Sequence, residues 1–347
     1  MKSSRATYHR FIAEHTRHPD QIVRSEAARL LGEIGDKAAV PWLVDMLKKD
    51  ARHSKINAIY ALAEIRDRRA IPVLLEISRD PGVFDFNGFY NHDMIRIAAA
   101  IALALLGDAR GEQQISDLLR LEAGEAFRQL TPYVSGLPDA PLLRPFKKKC
   151  VIRPDQLRKP GKGFNTVRDA RIAESLRHDK TPAARACLLG YCKHYSRYVR
   201  AHAAESLSIL DSSPVFTRFL KTWLRKEKAA FTRIKLAFLL VKRGAAASRA
   251  ILLQGLKDPD FFIRATAIDA LATLPESSAA PHIQLCLEDE HFYVRLCAIE
   301  ALEKLRCTKA KGLILTLFQQ DHPRVQMQAA KYALATRSLA GRRETVK

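Results

Sequence analysis

The chain has 347 residues, of which 47% are apolar and only 7% aromatic, and a formal net charge of +21. This length exceeds what a single hydrophobic core usually serves, which excludes a small one-core domain and leaves two domains or a repeat architecture. The longest apolar run, Ile97 to Leu106, is too short to cross a bilayer, and the first residues lack the apolar region of a secretory signal, so we expect a soluble, cytoplasmic protein.

One phrase recurs along the chain at a step of roughly thirty residues. It is a β-branched residue followed by Arg or Lys, then small residues and leucines. Clear copies begin at Val23, Ile95, Val199, Ile263 and Val294, and weaker copies at Ile56, Phe127, Val167, Ile234 and Val325. A second apolar segment, often opening with Pro or small residues, follows most copies, and Pro is well suited to the first turn of a helix. Each copy therefore predicts one helical hairpin.

The small residues of the phrase explain how such hairpins stack. Alanines let helix backbones approach closely, and no single hairpin could bury its apolar face alone. The pattern predicts an all-α fold, a right-handed α-solenoid of about ten helical hairpins, with Ser3 to Arg17 as the polar cap of its first unit.

The phrase resembles the HEAT repeat, in the short form of the phycobilisome lyase type HEAT-like repeats, across almost the whole chain. Residues 20–32, DQIVRSEAARLLG, come close to the pattern D-x-x-x-x-V-R-x-x-A-A-x-A-L-G, although Asp20 lies one position nearer the Val. The resemblance implies that the helices opened by the phrase line the concave face. Because the family includes scaffolds, bilin lyases, nucleic-acid binders and enzymes, it implies little about function.

Two segments depart from the repeat. Residues 80–93, DPGVFDFNGFYNHD, form an oversized turn whose aromatic side chains either bind a partner or cap the adjacent helices. Residues 137–164 are rich in Pro, Gly and Lys, which predicts an inserted loop. The chain then divides into N-terminal repeats at 1–136, the basic loop at 137–164, basic central repeats at 165–250, C-terminal repeats at 251–336 and a basic tail at 337–347.

Nearly all of the excess positive charge lies in residues 144–249, which hold 26 Lys and Arg against 7 Asp and Glu. A basic zone in an otherwise neutral molecule concentrates polyanions such as nucleic acid, an acidic protein surface or an anionic membrane. A solvated loop that tolerates any charge would also explain the insertion, but the charge continues into the helices that follow it.

The basic residues fall into two classes. Those directly after the β-branched residue occur in neutral and basic repeats alike, which indicates a structural hydrogen-bonded ladder with turn Asp residues and helix carbonyls. This class comprises Arg24, Arg96, Arg168, Arg200, Lys235, Arg264 and Arg295. The charges particular to the middle of the chain are the candidates for polyanion binding: Arg144, Lys147, Lys148, Lys149, Arg153, Arg158, Lys159, Lys162, Arg171, Arg197, Arg218, Lys221, Arg225, Lys226, Lys228, Lys242 and Arg243.

The sequence contains no complete catalytic constellation. Metal-dependent HEAT enzymes that hydroxylate a modified lysine use His-Glu dipeptides, and this chain has none. HEAT-like DNA glycosylases pair an aromatic residue with a carboxylate, as Trp223 and Glu227 could, but Trp223 occupies a position where other repeats carry core Leu. The clusters around His15 and Cys192 lack the spacing of a metal site. We therefore expect no enzyme activity, no metal and no cofactor.

These observations predict a binding protein whose cationic middle engages DNA or RNA through phosphates, along the concave face and the inserted loop. The alternative is a scaffold or adaptor that recognises an acidic protein surface. A HEAT-like DNA glycosylase and a bilin lyase-type protein are further alternatives. No transmembrane segment is expected, and a peripheral contact with an anionic membrane stays open.

Overall fold

The computed structural model describes residues 5–49, 52–79, 91–120, 166–274 and 279–344. These ranges form α-helices joined by turns and short 3-10 segments, and they contain no strand. The predicted all-α class and the solenoid of stacked hairpins are confirmed. Within the same ranges, no helix has the length and apolar character needed to cross a membrane.

The chain divides into two compact units. Unit 1 comprises Met1–Cys150 together with Lys311–Lys347, and unit 2 comprises Val151–Ala310. The segment 251–336, grouped above as one block of C-terminal repeats, is thus divided between the two units after Ala310.

Unit 1 is a stack of hairpins in which the phrase-bearing helices pack on one another, α2 on α4 and α4 on α6. Its described helices are α1 (Arg5–Glu14), α2 (Gln21–Ile34), α3 (Val40–Lys49), α4 (Arg52–Ile65), α5 (Ile71–Arg79), α6 (Asn91–Leu105) and α7 (Ala109–Arg120), followed after unit 2 by α17 (Lys311–Leu317) and α18 (Pro323–Glu344). Because α6 begins at Asn91, the last three residues of the predicted turn 80–93 are helical. The rest of that turn lies outside the described residues.

The two ends of the chain meet within unit 1, where α18 packs against α1 and α2. The ring of Phe318 makes edge-on contacts with Tyr8 and Phe11, at centroid distances of 5.0 and 4.9 Å, and Lys331 pairs with Glu33. The segment predicted as a polar end cap therefore has an aromatic contact with the C-terminal part of the chain. Each end covers apolar surface that the other would expose.

Unit 2 has two layers of helices. The phrase-bearing helices, which we call the Val-Arg helices, pack in succession, and each helix of the second layer packs on a Val-Arg helix beside it. The Val-Arg helices are α8 (Thr166–Ser175), α10 (Arg197–Leu210), α12 (Ala230–Lys242), α14 (Phe261–Ala272) and α16 (Phe292–Lys304), and the second layer contains α9 (Pro182–Tyr191), α11 (Pro214–Lys226), α13 (Arg249–Gly255) and α15 (Ala280–Leu285).

Alanines at matching positions permit the close approach of successive Val-Arg helices. Ala203, Ala267 and Ala298 each lie seven positions after the helix N-cap and are fully buried. In the helices that match the repeated phrase, the β-branched residue lies three positions after the N-cap, as Ile263 does after Asp260. That residue is almost fully buried in α10, α14 and α16.

Helix α12 requires a correction to the predicted register. Its N-cap is Ala229, so the third position after the cap belongs to Thr232, which is fully buried. The hydroxyl of Thr232 donates a hydrogen bond to the Arg197 carbonyl at 3.1 Å. The phrase in this repeat is therefore Thr232 with Arg233, two residues before the predicted Ile234 with Lys235. The predicted copy at Phe127 and the inserted loop 137–164 lie outside the described residues.

Candidate functional site

The Arg four positions after the helix N-cap is bound to the turn that precedes its own helix. In four of the described helices, one guanidinium nitrogen of this Arg donates to two successive backbone carbonyls, five and six residues earlier in the chain. The pairs of acceptors are His18 and Pro19 for Arg24, His194 and Tyr195 for Arg200, Asp258 and Pro259 for Arg264, and Asp289 and Glu290 for Arg295. These bonds satisfy carbonyls that the turn leaves without a helical partner.

Two of these arginines also bind a carboxylate of the next repeat. Arg200 donates to Glu227 through two bonds of 2.9 and 2.8 Å, and Arg264 donates to Asp289 through two bonds of 2.8 Å. The side chains of Arg264 and Asp289 are only 7% and 11% exposed. The hydrogen-bonded ladder predicted for these residues is present in the structure.

The ladder position of α12 is occupied by Arg233, which donates to the carbonyls of Leu224 and Glu227 at 3.1 Å. Lys235, placed in the ladder by the sequence pattern, instead pairs with Glu205 at 3.0 Å. Arg96 of unit 1 donates to the Ser78 carbonyl at 3.4 Å. Arg168 belongs to α8, but its side chain lies outside the described set.

Trp223 and Glu227 form a structural network. The indole Nε1–H of Trp223 donates to Glu227 Oε2 at 3.2 Å, and the backbone N–H of Ala229 donates to Glu227 Oε1 at 3.0 Å. Burial opposes ionisation of Glu227, but the hydrogen bonds and charge of Arg200 outweigh it, so the pKa of Glu227 lies below its ordinary value. Every one of these contacts stabilises the ionised carboxylate within the fold.

The exposed face of the Val-Arg helices carries charges of both signs. A groove of about 330 Å³ crosses α12, α14 and α16 and is lined only by residues of these helices. Lys235 pairs with Glu205, and Lys304 lies 3.5 Å from Asp269. Across α12, α14 and α16, the face that the resemblance implies to be concave is therefore not a purely cationic surface.

A cationic surface of unit 2 lies on α11, in the second layer. Arg218, Lys221 and Arg225 are separated by three and four residues, which places them on one side of the helix. All three are exposed, whereas Phe216, Leu220 and Leu224 on the opposite side are buried. Within the described part of the chain, none of the three cations has an ion pair. We call Arg218, Lys221 and Arg225 the cation row.

Two further lysines adjoin the cation row. Lys226 ends α11, Lys228 follows it, and both side chains are exposed. Of the other predicted residues, Arg197 lies over the Tyr198 ring at 5.0 Å and Lys242 over the Phe238 ring at 5.5 Å. Each of these two cations thus already contacts an aromatic ring of its own helix.

Arg243 is used by the fold. It donates to the Ser208 carbonyl at 3.0 Å, to the Thr217 hydroxyl at 3.2 Å and to the Asp211 carbonyl. Its guanidinium also lies 5.0 Å from the centre of the Phe216 ring. These contacts join three successive segments, so Arg243 belongs with the structural arginines.

An apolar groove of about 590 Å³ lies between α9 and α11, beside the cation row. Leu189, Phe219 and Trp223 line it, and Lys193 and Lys226 contribute to its rim. Phe219 is 39% exposed and Leu189 38%. The sequence pattern assigned Trp223 to the core, but Trp223 is only partly buried. The sequence could have indicated the groove, because Phe219 and Trp223 lie on α11 between its buried side and the cation row.

The remaining predicted residues are not tested by these contacts. The side chain of Arg171, on α8, is not among those described. The candidates of the inserted loop lie outside the described residues: Arg144, Lys147, Lys148, Lys149, Arg153, Arg158, Lys159 and Lys162.

The described cysteines include inert thiols. Burial raises the pKa of Cys192 to about 12 and that of Cys286 to about 11, which keeps both as neutral thiols near pH 7. The histidines near the N-terminus have separate partners: His9 lies 3.2 Å from Asp36, and His15 contacts the Phe11 carbonyl. The described residues hold no group of three side chains suited to a metal ion.

The family model of HEAT repeats matches residues 10–85, in unit 1, and residues 217–295, in unit 2. Deoxyhypusine hydroxylase of Bos taurus is 33% identical over 85 residues, which are 24% of this chain and 25% of that protein. The match thus spans a quarter of the length of this curated relative. The sequence resemblance to HEAT repeats is confirmed.

Two solved structures with HEAT-like repeats resemble the chain along most of its length. Human deoxyhypusine hydroxylase in complex with glycerol is 18% identical, with 96% of this chain and 97% of that chain covered and a TM-score of 0.37. The complex of CpcE and CpcF of phycocyanin lyase from Nostoc sp. PCC7120 is 17% identical, with 96% of each chain covered and a TM-score of 0.26. Neither likeness transfers an activity to this chain.

Proposed function

We propose that this HEAT-repeat protein is a non-enzymatic, cytoplasmic binding scaffold that engages DNA or RNA through phosphate contacts. The observation that carries the proposal is the cation row of Arg218, Lys221 and Arg225, exposed on one side of α11 without an ion pair in the described residues. The basic loop at 137–164 precedes this region in the sequence and adds charge of the same sign.

The cation row differs from the other basic side chains of unit 2 in its hydrogen-bonding capacity. The guanidinium of Arg264 is fully engaged by carbonyls and a carboxylate, so phosphate could bind it only by breaking those bonds. Arg218 and Arg225 have no such competitor, and a phosphate can accept two parallel N–H bonds from an arginine. Binding through phosphates positions a nucleic acid but reads little of its sequence.

The test is a salt titration of the full-length protein with a fluorescent DNA duplex of about 20 base pairs. We expect log K to fall linearly with log salt concentration, at about 0.9 per phosphate neutralised. The variant Arg218→Gln, Lys221→Gln, Arg225→Gln should flatten this slope by up to about 2.7 and weaken all sequences alike. Replacing Lys147, Lys148 and Lys149 by Gln tests the inserted loop in the same way.

A matched control separates local from net charge. Lys48, Lys257 and Lys309 are exposed, and changing all three to Gln removes the same total charge without changing α11. This control should keep the wild-type slope. If wild type shows no salt-sensitive binding to duplex or single-stranded nucleic acid at low ionic strength, the proposed function is wrong.

The second candidate is a scaffold for a protein with an acidic surface. The apolar groove between α9 and α11 favours it, because protein interfaces combine an apolar centre with a polar rim. This candidate predicts negligible nucleic-acid binding at physiological salt and a stable complex with one acidic protein.

A further inference from the structure

The groove between α9 and α11 combines features of a site for an unstacked nucleobase. Its volume of about 590 Å³ falls in the range of small-molecule pockets, roughly 300 to 1,000 Å³. Apolar and aromatic side chains dominate its wall, and Thr222 adds one hydroxyl. Two lysines, Lys193 and Lys226, stand at its rim without an ion pair among the described residues.

The indole of Trp223 is held in place by the fold. Its Nε1–H donates to Glu227 at 3.2 Å, and Glu227 is fixed by two bonds from Arg200. The Phe219 ring lies 5.8 Å from the Trp223 ring, with 52° between the two planes. A ring that is ordered before binding loses little conformational entropy when a planar ligand packs against it.

Helix α11 places these aromatic side chains next to the cations. Phe219 and Trp223 are four residues apart, and Lys226 continues the same side of the helix toward the cation row. Proteins that bind single-stranded nucleic acid combine aromatic side chains, which stack on bases, with cations that follow the backbone. A duplex can use only the cations, because its base faces are hidden in the stack.

We propose that this groove receives an unstacked base of single-stranded nucleic acid, while Lys193, Lys226 and the cation row contact its phosphates. The inference rests on the proposed function and specifies its substrate class. Because single-stranded and duplex nucleic acid both offer phosphates, the cations alone would not distinguish them, and the aromatic groove supplies the preference for single strands.

The experiment uses the full-length chain with three probes of equal phosphate number: a dT 12-mer, an rU 12-mer and an abasic DNA 12-mer. The chain has two tryptophans, Trp42 and Trp223, so Trp42→Phe leaves Trp223 as the single fluorescent reporter. We expect the dT and rU oligomers to quench Trp223 and to bind about tenfold or more tightly than the abasic oligomer. A difference between the dT and rU arms tells DNA from RNA.

The variant Trp223→Leu should remove most of the preference for the base-containing oligomers and leave the salt slope unchanged. Trp42→Leu, which removes the tryptophan of unit 1, is its matched control and should leave the preference intact. Because Trp223 also donates a hydrogen bond to Glu227, its replacement could disturb the fold, and Phe219→Ser therefore serves as a second variant of the groove. The fluorescence measurement on the Trp42→Phe protein is a further check, since it leaves unit 2 unchanged.

Equal affinity for the dT and abasic oligomers, with no quenching of Trp223, would overturn this inference. If the salt slope of binding were still the expected one, the proposed function would stand without it. Absence of all binding at low salt would overturn both. Quenching of Trp223 by an acidic, Phe-containing peptide, with no effect of any oligonucleotide, would assign the groove to a protein partner and also overturn the inference.

Discussion

The Val-Arg helices and helix α11 of unit 2 both carry several basic residues, but they differ in what surrounds each charge. Arg264 on α14 donates to two carbonyls and a carboxylate and is nearly buried. Arg225 on α11 is exposed and has no ion pair in the described residues. The charge excess of the middle repeats is therefore a poor guide to the proposed binding surface unless the structural arginines are left out of the count.

The difference has a physical cause. The inner Val-Arg helices α10, α12 and α14 each pack on two neighbours in the layer, so their cations must satisfy buried carbonyls and carboxylates of the adjoining turns. Helix α11 packs through Phe216, Leu220 and Leu224, and its opposite side meets water. A cation on that side stays hydrated, so it has little effect on the free energy of unfolding and remains available to a partner.

The largest expected effect is on Arg264. Changing Arg264 to Met leaves the nearly buried Asp289 carboxylate without a cation, with only the backbone N–H of His291 still donating to it, so the free energy of unfolding should fall by about 3 kcal/mol. Urea denaturation of the full-length protein measures it.

Arg225→Met is the matched control on α11 and should change the free energy of unfolding by less than about 0.5 kcal/mol. Equal losses for the two variants would show that the two groups of arginines do not differ as described.

A smaller, pH-dependent effect is expected at Glu227. Changing it to Gln should lower the free energy of unfolding by about 1 to 2 kcal/mol at neutral pH, because the charge-assisted bonds from Arg200 are weakened. The folded pKa of Glu227 lies below its ordinary value. Its stabilisation is therefore present above the unfolded pKa of about 4.3 and is lost as the pH falls through the lower, folded value.

Urea denaturation of both proteins between neutral pH and pH 3 checks this prediction, since the difference should shrink toward the acid end. Glu76 is exposed on α5, and Glu76→Gln should change the free energy of unfolding by less than about 0.5 kcal/mol at each pH. A difference for Glu227→Gln that grows in acid would contradict the sign of the pKa shift.

The smallest effect on stability is expected for the cation row. Replacing Arg218, Lys221 and Arg225 together by Gln should change the free energy of unfolding by less than about 1 kcal/mol, since each side chain lies on an exposed helical surface. Thermal unfolding measures this change in the same preparation used for the salt titration. A large loss of stability would assign these residues to the fold instead.

Much of the fold followed from the periodicity of the sequence. The repeated Ala and β-branched positions predicted stacked helices because only small side chains allow this spacing, and Ala203, Ala267 and Ala298 are buried as expected. The contact of Phe318 with Tyr8 and Phe11 was not predictable. It joins residues more than three hundred positions apart, and no local pattern encodes that distance.

The candidate site was predicted less completely. From the sequence, the ladder residues could be distinguished from the basic residues particular to the middle of the chain, because the ladder also recurs in neutral repeats. Arg243 could not, since its acceptors Ser208, Asp211 and Thr217 come from earlier segments of the chain. The groove between α9 and α11 was also missed, because Trp223 has the spacing of a core residue and only packing shows how much of it stays exposed.

The sequence by itself determined the all-α solenoid class, the concentration of charge in residues 144–249 and the existence of a structural Arg in repeats of both units. Tertiary structure decided which residue fills each role. Thr232 with Arg233 and Ile234 with Lys235 both match a β-branched residue followed by a cation, and only the helix N-cap at Ala229 selects the first pair. The reason is physical: composition and period fix which face of a helix is apolar, whereas the neighbours of a polar side chain depend on where distant turns and helices meet.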